Sequence, residues 1–214
     1  MTVHDRLDGH DGTAGAPGSL LLIISGPSGV GKDTIIEKLR ERPTTRDAHY
    51  VITCTTRARR PGEIDGVSYF FLDRDEFLAK HEAGAFLEAN EVHGNWYGTP
   101  RQQVLDALLA GRDVILKIDV QGAQAVKESV PEAILIFVVP PSLEDLFQRL
   151  RSRATETVDE LELRQRNAAV ELARQDDYDY VVTNETGEVE RTADRIEEII
   201  TEEHARHPSR RVRV

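Results

Sequence analysis

Residues 25–36 read SGPSGVGKDTII, and this stretch decides the fold. Its glycines and lysine match the phosphate-loop pattern G-x-x-x-x-G-K, in which backbone N–H groups and the start of a helix surround a phosphate. The apolar run before it predicts a buried strand over residues 20–25, and apolar positions 35, 36 and 39 predict a helix over residues 32–42. We therefore expect the loop to bind a nucleotide through Gly26, Pro27, Ser28, Gly29, Val30, Gly31, Lys32, Asp33 and Thr34.

The residue after the loop lysine departs from the pattern. A serine or threonine there normally supplies a hydroxyl to Mg²⁺, but this chain has Asp33. One interpretation is a helix cap, favoured by the positive end of the helix dipole, with Thr34 supplying the hydroxyl. The other is that the carboxylate takes Mg²⁺ directly or through water, because Mg²⁺ prefers hard oxygen ligands. We favour Asp33 and keep Thr34 as the alternative metal ligand.

Composition narrows the class of protein. The 214 residues suit one domain with insertions, and 39% hydrophobic residues are enough for a core. The net charge of −11 argues against a general nucleic-acid binder, so an anion site must be locally positive. No apolar run approaches the ~20 residues of a membrane span. Cys54 is the single cysteine, which excludes an internal disulfide and favours the cytoplasm.

Strands and helices alternate along the chain. Predicted strands at 20–25, 113–119, 133–139 and 178–183, separated by helices, indicate an α/β fold with a parallel sheet flanked by helices. A further strand is predicted over 50–54. We expect a disordered tail over 1–18, a main domain over 19–206 and a basic tail over 207–214. Within the main domain we expect a core (19–52, 112–146 and 175–206), an inserted substrate-binding subdomain (53–111) and a helical lid (147–174).

Two clusters in the insertion suggest a second anion site and a base pocket. Residues 53–71 read TCTTRARRPGEIDGVSYFF, and the planar forks of Arg57 and Arg60 suit phosphate, although a solvated basic turn would have the same composition. Residues 86–100 read FLEANEVHGNWYGTP. Glu88 needs a partner if it is buried in this apolar strand, and guanine offers adjacent N1–H and N2–H₂ donors. Thr99 could donate to guanine O6. The alternative for Glu88 is a surface position on an edge strand.

Taken with ILKIDVQGA (115–123), PPSLEDLFQRLRSR (140–153) and YDYVVTN (178–184), these motifs resemble guanylate kinase, the ATP:GMP phosphotransferase, over about residues 20–200. The resemblance implies a P-loop kinase fold with an inserted GMP-binding subdomain and a helical lid. It implies transfer of the γ-phosphoryl of ATP to GMP, and also to dGMP, with Mg²⁺ as cofactor. The products would be ADP and GDP, in purine nucleotide metabolism and GMP recycling.

The resemblance also implies roles for individual residues. The GMP phosphate would be held by Arg57, Arg60, Tyr69 and Tyr97. The guanine would be recognised by Thr53, Glu88 and Thr99, with Gly98 allowing close approach and Asp119 near the nucleotide and metal. Catalysis would rest on Lys32, Arg57 and the lid arginines Arg149, Arg153 and Arg164, and Asn184 would lie beside the adenine. Asp33 and Lys117 depart from the usual family residues.

Two other functions share some of these features. A different small-molecule kinase of this fold, such as a ribose-bisphosphate phosphokinase, would keep the loop without needing Glu88 and Thr99. A guanylate-kinase-like interaction module would lose the nucleotide-contacting residues that this chain keeps. We expect ATP and GMP as partners, no nucleic acid or membrane, and a monomer or small homo-oligomer.

Overall fold

The computed structural model describes residues 12–92, 94–151 and 158–214. A short 3₁₀ turn, Gln175–Asp177, precedes the last strand. In chain order the elements are β1 (Leu21–Ser25), α1 (Lys32–Glu41), β2 (His49–Tyr50), β3 (Cys54–Thr55), β4 (Phe70–Phe71), α2 (Arg74–Glu82), β5 (Phe86–Val92), β6 (Asn95–Pro100), α3 (Arg101–Leu109), β7 (Val114–Lys117), α4 (Val120–Ser129), β8 (Ile134–Val139), α5 (Leu143–Arg151), α6 (Val158–Leu172), β9 (Tyr180–Thr183) and α7 (Val189–Arg206).

A parallel five-stranded sheet forms the core, with strand order β2-β7-β1-β8-β9. The predicted α/β class with a parallel sheet is confirmed. The central strand β1 pairs with β7 on one side and β8 on the other. In open sheets of this kind, ligands bind beyond the carboxyl ends of the strands, where the strand order reverses. The loop that follows β1 lies at that point.

The two faces of β1 belong to two separate apolar layers. Leu22 and Ile24 pack with Ile35 of α1 and Ile196 of α7. The side chains of Leu21 and Ile23 point to the opposite face of the sheet, where they pack with residues of α3 and α4. Because both faces of the strand are covered, its sequence is an unbroken apolar run rather than an alternating one.

The inserted segment forms a second sheet, with strand order β4-β3-β6-β5. β3 runs parallel to β4, whereas the β3–β6 and β5–β6 pairs are antiparallel. A small aromatic core supports it: the rings of Phe77 and Phe86 stack with centroids 4.6 Å apart, and Trp96 packs beside Phe77. Glu88 and Thr99 lie on this sheet.

The predicted strand over 50–54 is in fact two short strands in different sheets. β2 pairs with β7 in the core sheet, and β3 pairs with β6 in the inserted one. Between them, the Gln103 side chain accepts from the Ile52 N–H at 3.2 Å and donates to the Ile52 carbonyl at 2.9 Å. The backbone therefore stays extended while it passes from one sheet to the other.

The expected disorder of residues 1–18 does not apply to residues 12–18, and residues 1–11 lie outside the described chain. Ala14 forms an antiparallel bridge with Arg213, and the Gly15 N–H donates to the Val212 carbonyl at 2.8 Å. Val212 is fully buried among the apolar residues beside α3 and α4. The basic C-terminal tail is therefore packed, because one apolar side chain anchors it and a partner strand satisfies its backbone.

The helix expected between the predicted strands at 113–119 and 133–139 is α4, which starts directly after Asp119. α4 begins there because the Asp119 carboxylate accepts hydrogen bonds from the N–H groups of Gln121 (2.8 Å) and Gly122 (3.1 Å). This is an ordinary aspartate cap. Within residues 12–92, 94–151 and 158–214, no helix is long and apolar enough to span a bilayer.

Candidate active site

The loop between β1 and α1 has a backbone that requires glycine at two positions. Gly26 has φ of +135°, and a Cβ there would lie 2.3 Å from the Val138 carbonyl oxygen. Gly31 has φ of +102°, and a Cβ there would lie 2.5 Å from Nδ2 of Asn184. Gly31 also precedes α1 without a side chain to cap it, which leaves the first helical N–H groups for an anion.

Lys32, the first residue of α1, folds back onto this loop. Its Nζ donates to the Gly26 carbonyl and, at 3.0 Å, to the Pro27 carbonyl. Burial lowers the pKa of Lys32 to about 8, and the carboxylates of Glu171 and Asp33 offset this only in part. A phosphate at the loop would favour the charged amine.

Two residues predicted to contact nucleotide form hydrogen bonds with the backbone of the loop. Asn184 donates from Nδ2 to the Val30 carbonyl at 2.7 Å, and its Oδ1 accepts from the Thr192 hydroxyl at 3.0 Å. Arg149 donates to the Val30 carbonyl (3.2 Å), the Asn184 carbonyl (3.0 Å) and the Thr186 hydroxyl (2.8 Å). The adenine contact of Asn184 and the phosphate contact of Arg149 remain predictions; the contacts described here hold the loop in shape.

The two unusual residues of the sequence, Asp33 and Lys117, contact each other. The Lys117 Nζ donates to the Asp33 carboxylate across 84 residues of sequence. The same amine lies 5.4 Å from the centroid of the Tyr69 ring. Burial lowers the pKa of Lys117, but Tyr69 and Asp33 outweigh it and the net pKa is raised. Lys117 is therefore a charged group at the boundary between the loop and the inserted sheet.

Two further carboxylates face the loop. Asp119 and Glu171 line the same cavity as Lys32, and Glu171 also accepts a hydrogen bond from the backbone of Ser28. In the described part of the chain, no group of three or more histidine, cysteine, aspartate or glutamate side chains is arranged to hold a metal ion. A metal here would need oxygens from the substrate to complete its shell, as Mg²⁺ does in kinase sites.

Glu88 is buried in β5, and each of its carboxylate oxygens accepts one hydrogen bond from a neighbouring side chain. Oε1 accepts from the Thr99 hydroxyl at 2.6 Å, and Oε2 accepts from the Asn90 side chain at 2.8 Å. Burial raises the pKa of Glu88 to about 7, the two hydrogen bonds oppose this rise, and Asp119 adds to it. The alternative of a surface residue is wrong, since Glu88 is only 7% exposed.

The glycine and threonine beside Glu88 have contacts within the protein, and their expected contacts with guanine remain predictions. A Cβ on Gly98 would lie 2.9 Å from the Phe77 ring and 3.0 Å from the Phe86 ring, so this glycine permits aromatic packing behind the sheet. The Thr99 hydroxyl has one proton, which it donates to Glu88. In this arrangement Thr99 does not donate to a base; it orients the carboxylate.

The predicted phosphate arginines lie beside two tyrosines. Glu63 binds the Arg57 guanidinium through both carboxylate oxygens, at 2.7 and 3.1 Å, and its Oε2 also accepts from the Arg60 N–H at 2.7 Å. The Tyr69 ring lies 5.4 Å below the Arg57 guanidinium and 6.2 Å from the Tyr97 ring. This ion pair holds Arg57 in a defined orientation at the edge of the cavity.

A cavity of about 200 Å³ joins the loop to the inserted sheet. Its lining from the loop side includes Gly26, Ser28, Lys32, Lys117, Asp119 and Glu171. Its lining from the other side includes Thr53, Arg60, Tyr69, Glu88 and Tyr97. Two predicted lid arginines cannot be placed: Arg153 lies outside the described residues, and Arg164 lies on α6 with a side chain that is not described.

Three residues of the site were not anticipated. Glu63 follows a Pro-Gly turn in a run of arginines, so its opposite charge could have indicated an ion pair with one of them. Asn90 is two residues from Glu88, hence on the same face of a strand, and the alternation rule would have identified it. Glu171 lies on a polar helix far along the chain, and no local pattern marks it.

Comparison with known proteins gives a consistent result. The family model described as Guanylate kinase matches residues 19–203. The guanylate kinase of Halalkalibacterium halodurans is 46% identical over 187 residues, covering 87% of this chain and 90% of that protein. Guanylate kinase 2, chloroplastic/mitochondrial, of Oryza sativa subsp. japonica is 43% identical over 92% of this chain and 69% of that protein. The crystal structure of guanylate kinase from Anaplasma phagocytophilum superposes with a TM-score of 0.69, at 36% identity and 86% coverage of both chains.

Proposed function

The chain belongs to the guanylate kinase family and catalyses the ATP-dependent phosphorylation of GMP to GDP, and on this basis we propose which of its residues perform each part of the reaction. One observation carries the assignment. A buried carboxylate suited to guanine and a lysine-bearing phosphate loop line a single cavity. The two substrates would therefore meet inside it.

The base is recognised by Glu88. Its carboxylate, oriented by Thr99 and Asn90, accepts from N1–H and N2–H₂ of guanine. We assign the contact with O6 to Thr53, which lines the same cavity. AMP has an acceptor at N1 and no N2–H₂, so it would bring a lone pair to the carboxylate in place of the two guanine donors. Sites of this hydrogen-bonding kind discriminate by about 10⁴–10⁵.

The GMP phosphate is held by Arg57, Arg60, Tyr69 and Tyr97. Arginine forks bind phosphate through two parallel hydrogen bonds, and the Glu63 pair sets the orientation of the Arg57 fork. Tyr69 and Tyr97 line the cavity and supply hydroxyl donors. Together these groups turn a phosphate oxygen toward the loop.

Transfer is a direct in-line displacement. A GMP phosphate oxygen forms a bond to the γ-phosphorus, the bond to the bridging oxygen breaks, and ADP leaves with that electron pair. No general base is needed, because a phosphate monoester carries about −1.5 to −2 charge at pH 7. Lys32 stabilises charge on the β- and γ-phosphates at the loop.

Further charge stabilisation comes from the lid. Arg149, Arg153 and Arg164 would reach the phosphates when the lid closes over the cavity. Arginines that act in this way are worth about 10³–10⁵ in rate. Arg149 would have to exchange part of its contact with the loop carbonyl and Thr186 for a phosphate oxygen. Lid closure also keeps water from the γ-phosphoryl. Asn184 would lie beside the adenine of ATP.

The reaction uses ATP with a divalent metal ion, and we propose that the ion is Mg²⁺. The residues present fit a hard cation: the Asp33 carboxylate is largely exposed, Thr34 follows it, and Asp119 faces the loop from the other side. Asp33 or Thr34 would hold it, directly or through water. When bound, Mg²⁺ neutralises charge on the β- and γ-oxygens.

Several finer properties are part of the same proposal. The residues assigned to GMP address its base and phosphate rather than the ribose 2′-hydroxyl, so dGMP should also be accepted. The product GDP places the enzyme in purine nucleotide metabolism and GMP recycling. A cytoplasmic monomer or small homo-oligomer, without nucleic acid or membrane partners, agrees with the single cysteine and the net charge of −11.

The direct test is a coupled assay for ADP release with GMP, dGMP, AMP, UMP and a ribose bisphosphate as acceptors. We expect turnover with GMP and dGMP and very little with the other three. The Glu88→Gln variant should lose GMP turnover while ATP affinity is kept. Equal losses of GMP turnover and of ATP affinity would show that Glu88 does not recognise the base.

A further inference from the structure

Lys117 is a positively charged residue at the centre of the site, and the proposed mechanism does not use it. It is the last residue of β7, and its register partner is Ile24, two residues before the phosphate loop begins at Gly26. Its side chain lines the cavity with Lys32 and Arg60. Three quarters of that side chain is shielded from solvent, since 25% is exposed. Lys117 therefore points into the space between the two substrates.

The phosphates of both substrates would bring negative charge to the centre of this cavity. A phosphate monoester and the end of a triphosphate each carry roughly −1.5 to −2 charge at pH 7. Among the described residues, the cations that line the cavity are Lys32, Arg60 and Lys117. Arg57 and Arg149, which are also proposed to bind phosphate, are paired in the free protein with Glu63 and with loop oxygens. Lys117 therefore adds positive charge at the place where the two phosphates would meet.

Lys117 is also placed between the two halves of the site. Its amine contacts Asp33 on the loop side and faces the Tyr69 ring on the GMP side. It is near enough to Lys32 for the two amines to repel each other. We propose that Lys117 is a further catalytic residue of this chain, which binds the phosphoryl group as it passes from ATP to GMP. This inference rests on the proposed function.

Asp33 is then only the counterion of Lys117 in the free protein. Its side chain is 71% exposed, and ion pairs with an exposed partner are weak and screened by salt. A charge-assisted hydrogen bond to a phosphate oxygen in the shielded cavity is stronger. The amine can therefore leave Asp33 for phosphate with little loss. Glu63 is the other carboxylate near the amine, and it stays bound to Arg57.

The competing explanation is purely structural: the ion pair ties α1 to β7 and does nothing else. The two explanations differ in how the variants combine. If Lys117 acts on phosphate, its removal has the same effect whether or not Asp33 is present. If the ion pair is only structural, removing Lys117 has no further effect on kcat once Asp33 is gone. The effects of substituting two residues that act only through their mutual contact are not additive.

The experiment is a double-variant cycle on the full chain, with Lys117→Gln, Asp33→Asn and the double variant. Lys127→Gln is the control, because Lys127 pairs with Asp179 at 3.0 Å in another part of the chain, away from this cavity. We measure kcat and KM for both substrates, with melting temperature as the check on folding. Lys117→Gln should lower kcat about 10²-fold with KM for GMP and ATP within about threefold. The same fold loss should appear in the Asp33→Asn background, and Lys117→Arg should recover most of it.

Two results would overturn the inference. One is unchanged kcat in Lys117→Gln. The other is a loss that vanishes in the Asp33→Asn background, follows the melting temperature and is not recovered by arginine. Neither result touches base recognition, because the preference for GMP over AMP should stay the same in every Lys117 variant. A failure of the proposed Glu88 site would instead appear as a changed base preference.

Discussion

Glu88 and Thr99 face each other across the antiparallel pair β5–β6, and the Thr99 hydroxyl donates a 2.6 Å hydrogen bond to the Glu88 carboxylate. This bond orients a buried acid that would otherwise be costly to ionise. The pKa of Glu88, raised by burial to about 7, shows that ionisation is still opposed. In the proposed complex guanine would supply two further donors, so the free protein carries a destabilised carboxylate that its substrate would stabilise.

The raised pKa of Glu88 predicts a pH-dependent stability difference. Below pH 4.5, the ordinary value, the carboxyl is protonated in both the folded and unfolded chains and contributes no difference. As pH rises from there through 7, the unfolded chain ionises first, so native stability falls. Relative to the native chain, Glu88→Gln should therefore gain about 2 kcal/mol in the free energy of unfolding between pH 5 and pH 8.5. Urea denaturation at the two pH values measures this, and the exposed neighbour variant Glu91→Gln should show no such gain. An equal pH response in both variants would contradict the buried carboxylate.

Lys32 predicts proton uptake when ATP binds. Its pKa of about 8 means that much of the amine is neutral at pH 8.5, and phosphate favours the charged form. ATP binding at pH 8.5 should therefore take up roughly half a proton or more, and at pH 6.5 almost none from this group. Calorimetry in two buffers of different ionisation enthalpy measures the uptake. GMP, bound at the other end of the cavity, is the control ligand. Buffer-independent ATP binding enthalpy at pH 8.5 would count against the assignment.

Glu63 predicts a positioning effect on GMP. Removing its charge in Glu63→Gln frees the Arg57 fork, and the KM for GMP should rise about tenfold while the KM for ATP stays the same. The matched control is Glu41→Gln, which removes the carboxylate of an exposed pair with Lys38. Steady-state kinetics with each substrate varied in turn is the measurement. A rise in both Michaelis constants would indicate general disruption instead.

Asp33 predicts that metal and carboxylate act together on ATP binding. In the proposed arrangement, the carboxylate at the start of α1 would repel the triphosphate without metal and would hold Mg²⁺ when it is bound. Mg²⁺ should therefore increase ATP affinity more in the native chain than in Asp33→Ser. Calorimetric titration of ATP with Mg²⁺ and with chelator, for both chains, gives the comparison. Equal metal effects would assign the metal contact to Thr34 or to another group.

The phosphate loop and the parallel sheet could be predicted because their signals are local. Gly26 and Gly31 must be glycine for the loop to form, and the unbroken apolar run of β1 reflects burial on both faces. For Glu88 the local sequence left two interpretations open, a buried acid that needs a partner and a surface residue on an edge strand. These features depend on neighbours within a few residues.

The remaining features depend on contacts that no local pattern shows. Lys117 contacts Asp33 because β1 and β7 pair in a register that sets Lys117 beside Ile24, and register is fixed by the whole sheet. Glu171 reaches the loop from α6, which is distant in the sequence. Residues 12–18 are ordered by the opposite end of the chain, where Val212 is buried.

Recognition of guanine by Glu88 is the central claim, and the most direct test compares GMP with IMP, which lacks only the N2 amino group. We expect the native chain to bind GMP at least tenfold more tightly than IMP, since one carboxylate oxygen would lose its donor. In Glu88→Gln the two affinities should lie within about threefold, with ATP affinity unchanged. The same GMP-to-IMP ratio in both chains would show that Glu88 does not contact the base, and would contradict the account.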